Sequence, residues 1–192
     1  MKRVRLLPLG GADPRLLEGL VPALRSVFNM EAVVGPCGLD LEEFYDEGRA
    51  QYHSTRILLR LKSGCPPSEE GSAADAIRLA VVPHDLYIPI LTFVFGEAEL
   101  GGTVAVVSYH RLQNERYGLA ADPQLLRVRL AKEALHELGH TLGLVHCRTG
   151  ACVMRPSSSV EEIDLKGEVL CRLCADAVGE GAPRGVVRPV RG

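Results

Sequence analysis

Residues 136–146 read His136-Glu137-Leu138-Gly139-His140-Thr141-Leu142-Gly143-Leu144-Val145-His146. On a helix, His136 and His140 are one turn apart, so both imidazoles leave the same face and can share one ion. Glu137 is adjacent to the first histidine and points beside such an ion rather than at it. From there it can hold a water molecule and take its proton. Gly143 stands where the helix must stop, because glycine tolerates the left-handed conformation that reverses a chain. The reversal brings His146 back as a third ligand. Three histidines leave a fourth position open to water, which marks a catalytic zinc rather than a structural one. Two histidines and a glutamate alone recur by chance on amphipathic helices. Here Leu135, Leu138, Leu142, Leu144 and Val145 would otherwise bury unpaired imidazoles, and Gly143 and His146 fall at the required spacings.

Outward from this stretch, Cys147 follows His146 directly, four residues separate it from Cys152, and Cys171 and Cys174 form a C-x-x-C pair. Four thiolates in two pairs make a closed tetrahedral site with no room for water, hence a second, structural zinc. The intervening stretch is polar and irregular, with few apolar residues to order it. A metal clamp supplies that order. Without a secretion signal, such a cluster is a metal site rather than a disulfide framework. Met154, two residues after Cys152, is expected to pack against the histidine site and not to ligate.

Residues 136–146 carry the extended signature of the metzincin zinc peptidases, and the chain resembles that clan from about residue 76 onward. The longer run HELGHTLGLVHCRTGACVM…CRLC resembles the archaemetzincin family more narrowly. The resemblance implies a metzincin fold, a catalytic zinc on His136, His140 and His146, and a second zinc on Cys147, Cys152, Cys171 and Cys174. It also implies a methionine turn at Met154 beneath the catalytic zinc, and peptidase activity of aminopeptidase-like character. Sixteen residues separate Met154 from Cys171, one fewer than the family's usual spacing, a change that a loop absorbs easily. Some other metzincins place a tyrosine just past the methionine turn; that position is Pro156 here, so no such role is assigned.

Upstream, RVRLLPL (3–9) reads as a strand and 13–28 as a helix capped by Asp13 with Pro14 at its first position. EAVVG (31–35) is a second strand, and 41–62 a second helix. AIRLAVV (76–82) suits the centre of a sheet. Residues 90–99 and 103–109 read as two further strands joined at Gly101-Gly102. A long helix over 123–145 starts at Asp122-Pro123, and a short one covers about 159–166. The fold class is therefore α/β (α+β): a mixed twisted sheet with packed helices, an active-site helix and a zinc-stapled C-terminal subdomain. One domain spans 1–192, with the sheet and active-site helix in 1–143, the four-cysteine part in 144–178 and a loose tail in 179–192.

The chain's 192 residues carry a formal charge of −2, which argues against nucleic acid as a partner. No apolar run is long enough to span a bilayer. Pro8, Gly10 and Asp13 interrupt the short apolar stretch after the basic start, so it reads as a strand and a cytoplasmic monomer is expected. Cys65 sits in a surface loop over 65–72. Cys37 and Cys65 read as buried apolar cysteines, His53, His84 and His110 as surface or loop residues, and Lys132 and Glu133 as the solvated face of the long helix.

Two functions compete. The leading one is a zinc peptidase whose peptide or protein substrate lies along the sheet edge at 92–99. The other is a zinc-stabilised peptide-binding module with little turnover, which would have no need of a base at Glu137. If the enzyme is an aminopeptidase, Glu97 and Glu99 are the acids available to hold a free α-ammonium, and alternation puts both on one strand face.

Overall fold

The computed structural model describes residues 2–64 and 76–179. The chain opens with β1 (Arg3–Pro8), then α1 (Pro14–Glu18) and α2 (Val21–Phe28), then β2 (Glu31–Val34). Asp13 caps α1 as expected, accepting a hydrogen bond from Arg15 N at 3.0 Å. The single helix expected over 13–28 is two, because Gly19 ends the first and Pro22, which lacks an N–H, is confined to the first turn of the second.

The helix expected over 41–62 is also shorter. Glu42–Phe44 forms one 3₁₀ turn, β3 (Tyr45–Asp46) and β4 (Gln51–His53) form a small antiparallel pair, and only α3 (Ser54–Ser63) is helical. The turn chemistry of Asp46 overrides the apolar spacing. Its carboxylate accepts from Arg49 N at 3.1 Å, and Ala50 takes a positive φ of 53° to close the turn.

The remaining elements are β5 (Ile77–Val82), β6 (Leu86–Tyr87), β7 (Gly96–Ala98), β8 (Val104–Ser108), α4 (Pro123–Thr141), α5 (Val160–Leu165) and α6 (Arg172–Gly179). The main sheet has the order β2-β1-β5-β8-β7, parallel except for the edge strand β7, which runs antiparallel to β8. A second sheet, β3-β4-β6, lies beside it. Strand alternation sorts the core into two layers. Val4, Leu6, Ile77, Leu79, Val81, Ala105 and Val107 join one cluster with residues of α1, α2 and α4. Leu7, Ala80, Val82, Val104 and Val106 join another with Ile57, Leu58 and Leu61 of α3. The mixed sheet with helices on both faces is the fold class read from the sequence.

The strand expected over 90–99 contracts to β7, with Val94 making one isolated bridge to Leu86. The segment before it is held away from the sheet by side chains. Arg49 donates to Pro89 O and Leu91 O at 3.3 and 3.1 Å, and Gln51 donates to Thr92 O at 2.9 Å. Cys37, expected as a buried apolar residue, is half-buried against the second cluster and engaged in a disulfide. The surface loop expected over 65–72, with Cys65, and the tail from 180 onward lie outside the described residues. Among the described residues, no helix is long and apolar enough to cross a membrane.

Candidate metal centre and active-site cleft

Helix α4 carries most of the site. Asp122 caps it, accepting from Gln124 N and Leu125 N at 3.0 and 2.9 Å, with Pro123 at the first position. Its helical hydrogen bonding ends at Thr141, and Gly143 adopts φ 90°, the chain reversal its position in the sequence predicted. The ligand-capable nitrogens of His136, His140 and His146 lie within 4.8 Å of one another. His136 is buried, His140 half-buried and His146 exposed, so the cluster opens to solvent on the His146 side.

The second atom of each helical imidazole is already used. His136 Nδ1 meets Val153 O at 2.9 Å, and His140 Nδ1 meets Leu144 O at 2.8 Å. Each Nδ1 therefore carries the proton, and both Nε2 atoms present lone pairs. Those two Nε2 atoms stand 3.1 Å apart. Two lone pairs facing at that range repel unless a cation lies between them, and tetrahedral Zn–N bonds of ~2.0–2.1 Å require a comparable separation. Burial, then the Lys166 ammonium, then His140 push the His136 imidazole down to about 2, so it is neutral and free to ligate. His140 and His146 are lowered as well, mainly by burial. The donor set fits zinc.

The four cysteines form the second cluster. Cys147, Cys152, Cys171 and Cys174 bring their sulfurs within 4.8 Å of one another, and all four are free thiols. Cys147 Sγ lies 3.8 Å from Cys171 Sγ, the edge of a tetrahedron built on Zn–S bonds of about 2.3 Å. The Cys171 thiol is drawn to about 7; burial opposes this, but the Cys174 backbone N–H and the neighbouring thiols outweigh it. The C-x-x-C pair sits at the start of α6, a helix that the sequence reading did not anticipate.

The two clusters adjoin. Cys152, Val153 and Met154 are all fully buried, and the Val153 carbonyl that orients His136 belongs to the residue after Cys152. Cys147 N donates to Met154 O at 2.9 Å, which ties the chain leaving His146 to the methionine turn. Met154 packs under α4 against Gly139, where any Cβ would collide with its sulfur. Met154 was legible in the sequence, whereas Gly139 was not singled out. Its signal was a glycine inside a helix, which costs about 1 kcal/mol unless something needs the space.

A cleft of about 580 Å³ runs past the histidines. One wall is the 91–98 segment with Leu100; the other is Pro156–Ser158; Glu133, His136, Glu137 and His140 form the floor. Glu137 is 5% exposed, and burial first, then the Glu133 carboxylate, raise its carboxyl well above the usual range. Edge strand β7 approaches it closely. A Cβ on Gly96 would lie 2.6 Å from Glu137 Oε1.

Lys132 and Glu133 are not the solvated face expected of them; they are 6% and 3% exposed. The segment carrying α5 covers that face. Lys132 Nζ donates to Ile163 O and Asp164 O, Arg129 makes two 2.7 Å hydrogen bonds to the Asp164 carboxylate, and Lys166 Nζ lies 2.7 Å from Glu133 Oε1. Glu97 in β7 and Glu99 just after it do turn to one side, but it is the side of α3. Glu99 pairs with Lys62 at 2.6 Å, and Glu97 accepts from Ser54 and Thr55. His84 and His110 are bonded to Gly10 O and Pro83 O and do not line the cleft.

The model of Peptidase family M54 matches residues 32–180. The archaemetzincin of Methanocaldococcus jannaschii is 38% identical over 172 residues, covering 90% of each chain. That of Archaeoglobus fulgidus is 40% identical over 176 residues, covering 92% of this chain and 98% of the relative. Among solved structures, the archaemetzincin of Methanopyrus kandleri superposes with a TM-score of 0.79 at 32% identity, covering 94% of both chains. The Archaeoglobus fulgidus archaemetzincin, solved with malonate, gives 0.74 at 39% identity over 91% of this chain and 98% of that one.

Proposed function

The chain belongs to peptidase family M54, the archaemetzincins, and is a zinc metallopeptidase; from that premise we propose that His136, His140 and His146 hold its catalytic zinc, that Glu137 is its general base, and that Cys147, Cys152, Cys171 and Cys174 hold a second, structural zinc. The observation that carries the first assignment is the pair of Nε2 lone pairs facing each other at 3.1 Å while both Nδ1 atoms donate to carbonyls. Zinc at such a site supplies a Lewis acid that polarises the scissile carbonyl and lowers the pKa of water to about 7.

The chain's own residues do the rest. A peptide or protein substrate lies extended along the free edge of β7 and borrows its backbone hydrogen bonds. The walls at 91–98 and Pro156–Ser158 hold the scissile bond over the histidines and keep bulk water out. Glu137 takes the proton of the attacking water. Glu137 then returns that proton to the departing amine. Gly143 turns the chain so that His146 reaches the cluster, and Met154 packs beneath it without ligating.

An aminopeptidase would need an acid for the substrate's α-ammonium, and Glu97 and Glu99 are engaged with α3. Cleavage is therefore expected with free and with blocked N-termini. Strict dependence on a free amine would restore the aminopeptidase assignment. The test is hydrolysis of both peptide sets with and without chelator, alongside Glu137→Gln. That variant should keep zinc while turnover falls by about 10²-fold or more. Loss of zinc on this change would make Glu137 structural. Full activity with zinc retained would remove it as the base.

A further inference from the structure

The Pro156–Ser158 wall of the cleft is held by side chains and not by its own backbone. Among the described residues, no backbone–backbone hydrogen bond reaches Pro156, Ser157 or Ser158; the last one before them runs from Arg155 N to Cys152 O at 3.0 Å. A stretch with so few backbone bonds would ordinarily open easily. Helix α5 takes hold of it at both ends. At the far end, the Glu162 carboxylate accepts from Ser158 N at 2.6 Å and from the Ser158 hydroxyl at 2.8 Å. At the near end, Lys166, one turn on from Glu162, donates from Nζ to Arg155 O at 3.2 Å. This clamp has a fixed base. Lys166 Nζ also lies 2.7 Å from Glu133 Oε1, and the two side chains are 0% and 4% exposed, so a buried ion pair joins the end of α5 to the cleft floor. Lys132 and Arg129 add their bonds to Ile163 and Asp164, and Val160 and Ile163 are buried. Helix α5 is thus fixed to α4 and carries the wall. Because α4 bears His136, Glu137 and His140, α5 sets the distance between that wall and the reacting centre.

We propose that Glu162 and Lys166 are positioning residues of the peptidase: they hold Pro156–Ser158 at a set distance from α4 and thereby fix the cleft's affinity for an extended peptide. The assignment rests on the peptidase reading above. Neither residue lines the cleft, so both act through the wall. A wall that meets the flanking parts of a substrate binds ground state and transition state alike, so releasing it raises KM and leaves kcat in place. A wall that is loose before binding must be ordered by the substrate, and that entropy is subtracted from affinity.

The test is steady-state hydrolysis of one peptide series by the zinc-loaded protein, unaltered and as Glu162→Ala and Glu162→Gln, with zinc content measured on each. Glu162→Ala leaves the Lys166–Glu133 pair intact. Its KM should rise by roughly 10-fold, with kcat within about twofold of the parent and zinc content unchanged. Glu162→Gln keeps an acceptor for Ser158 and should bring KM back to within about threefold of the parent. Lys166→Met alone strands the Glu133 carboxylate and so risks the fold, whereas Lys166→Met with Glu133→Gln removes both charges of the pair. KM should rise in that double variant too, and an unchanged value there removes Lys166 from the assignment. Calorimetric binding of the same peptides to zinc-loaded Glu137→Gln, with and without Glu162→Ala, reads the wall apart from turnover, and Kd should rise by about 10-fold. Unchanged KM and Kd in Glu162→Ala, a fall in kcat at constant KM, or a KM that Glu162→Gln does not restore overturns the proposal. Weaker peptide binding in Glu162→Ala without any cleavage by the unaltered protein would instead sink the peptidase reading and leave the wall assignment standing. No binding and no cleavage of any peptide would remove both.

Discussion

Glu137 works in a space defined by a residue with no side chain. Gly96 on the edge strand faces it, and a methyl group there would stand 2.6 Å from Oε1 and 2.7 Å from Cγ. Contacts that short cannot persist, and Glu137 is 5% exposed within packed surroundings, so the carboxylate would have to swing aside. A displacement of about 1 Å in a catalytic group costs on the order of 10²-fold in rate. Gly96→Ala should therefore lower kcat by about that factor while zinc content, measured by elemental analysis, stays unchanged. Unaltered kcat would mean that Glu137 tolerates a second position. The asymmetry in what was legible follows from the same physics. Metal-capable side chains announce themselves by residue type and spacing, so His136, His140, His146 and the four cysteines could be grouped from sequence, and the fold does bring each group together. Gly96 and Gly139 act by absence, and a glycine next to a three-dimensional neighbour looks like any other glycine until that neighbour is in place.

At the scale of elements, the cleft's upper wall is a loop made rigid by charged side chains. Asp85 receives both Arg111 Nε and Nη2 at 2.7 Å and also Gln51 Nε2 at 2.9 Å, and Gln51 in turn holds Thr92 O at 2.9 Å. Arg111 also lies over the Phe93 ring, 4.0 Å from its centroid. Burial opposes ionisation of Asp85, but the Arg111 and Gln51 hydrogen bonds prevail and its carboxyl is lowered below the usual value. A carboxyl lowered on folding adds stability above its unfolded pKa, about 3.9, and that contribution is lost as pH falls through the folded value. Asp85→Asn should thus be less stable than the parent at neutral pH, by about 1.5–3 kcal/mol for charge-assisted hydrogen bonds. The gap should narrow below about pH 4 in denaturant titrations. A gap independent of pH would mean that the charge does not contribute. This brace also explains why the expected 90–99 strand shrank to Gly96–Ala98: three polar residues distant in sequence, Arg49, Gln51 and Arg111, capture the segment's carbonyls and ring, and no local pattern encodes them. Helix α4, by contrast, was readable at its start, since its cap at Asp122 and its proline at 123 lie within the local sequence; it ends at Thr141 rather than at the expected 145, because the chain already reverses at Gly143.

Over the whole molecule, the two clusters are unequal in what they hold together. The histidine cluster sits on α4, which is already fixed by packing against β7, β8 and the core through Leu130, Ala134, Leu135 and Leu138. The cysteine cluster joins segments otherwise linked by two backbone hydrogen bonds, Val153 N to Val169 O and Gly167 N to Ala151 O, and by light packing of α6 through Ala177 and Val178. Cys147 and Cys152 bracket an exposed turn, and Cys171 and Cys174 start α6, whose exposed Leu173 adds nothing to the core. Metal affinity at such a site is folding free energy for the segments it joins. Two zinc ions per chain are expected by elemental analysis, falling to one in Cys171→Ser and to one in His146→Ala. The thermal consequences should differ, with the larger loss in Cys171→Ser, where each kcal/mol lowers Tm by roughly 2–4 °C at this chain length. The two sites should also be coupled, and binding linkage makes that coupling reciprocal. Val153 O orients His136, and Val153 follows Cys152, so loosening the cysteine site should weaken zinc binding at the histidines. A carbonyl that orients a metal-binding histidine in this way is worth about 10–100-fold in metal affinity. Chelator competition on Cys171→Ser should then show the remaining zinc released more readily than the histidine-site zinc of the unaltered protein. His146→Ala leaves the cysteine ligands in place, and by the same linkage its cysteine-site zinc should also be released more readily. Equal thermal shifts in the two variants, or an unchanged histidine-site affinity in Cys171→Ser, would mean that the two clusters stand independently on the scaffold.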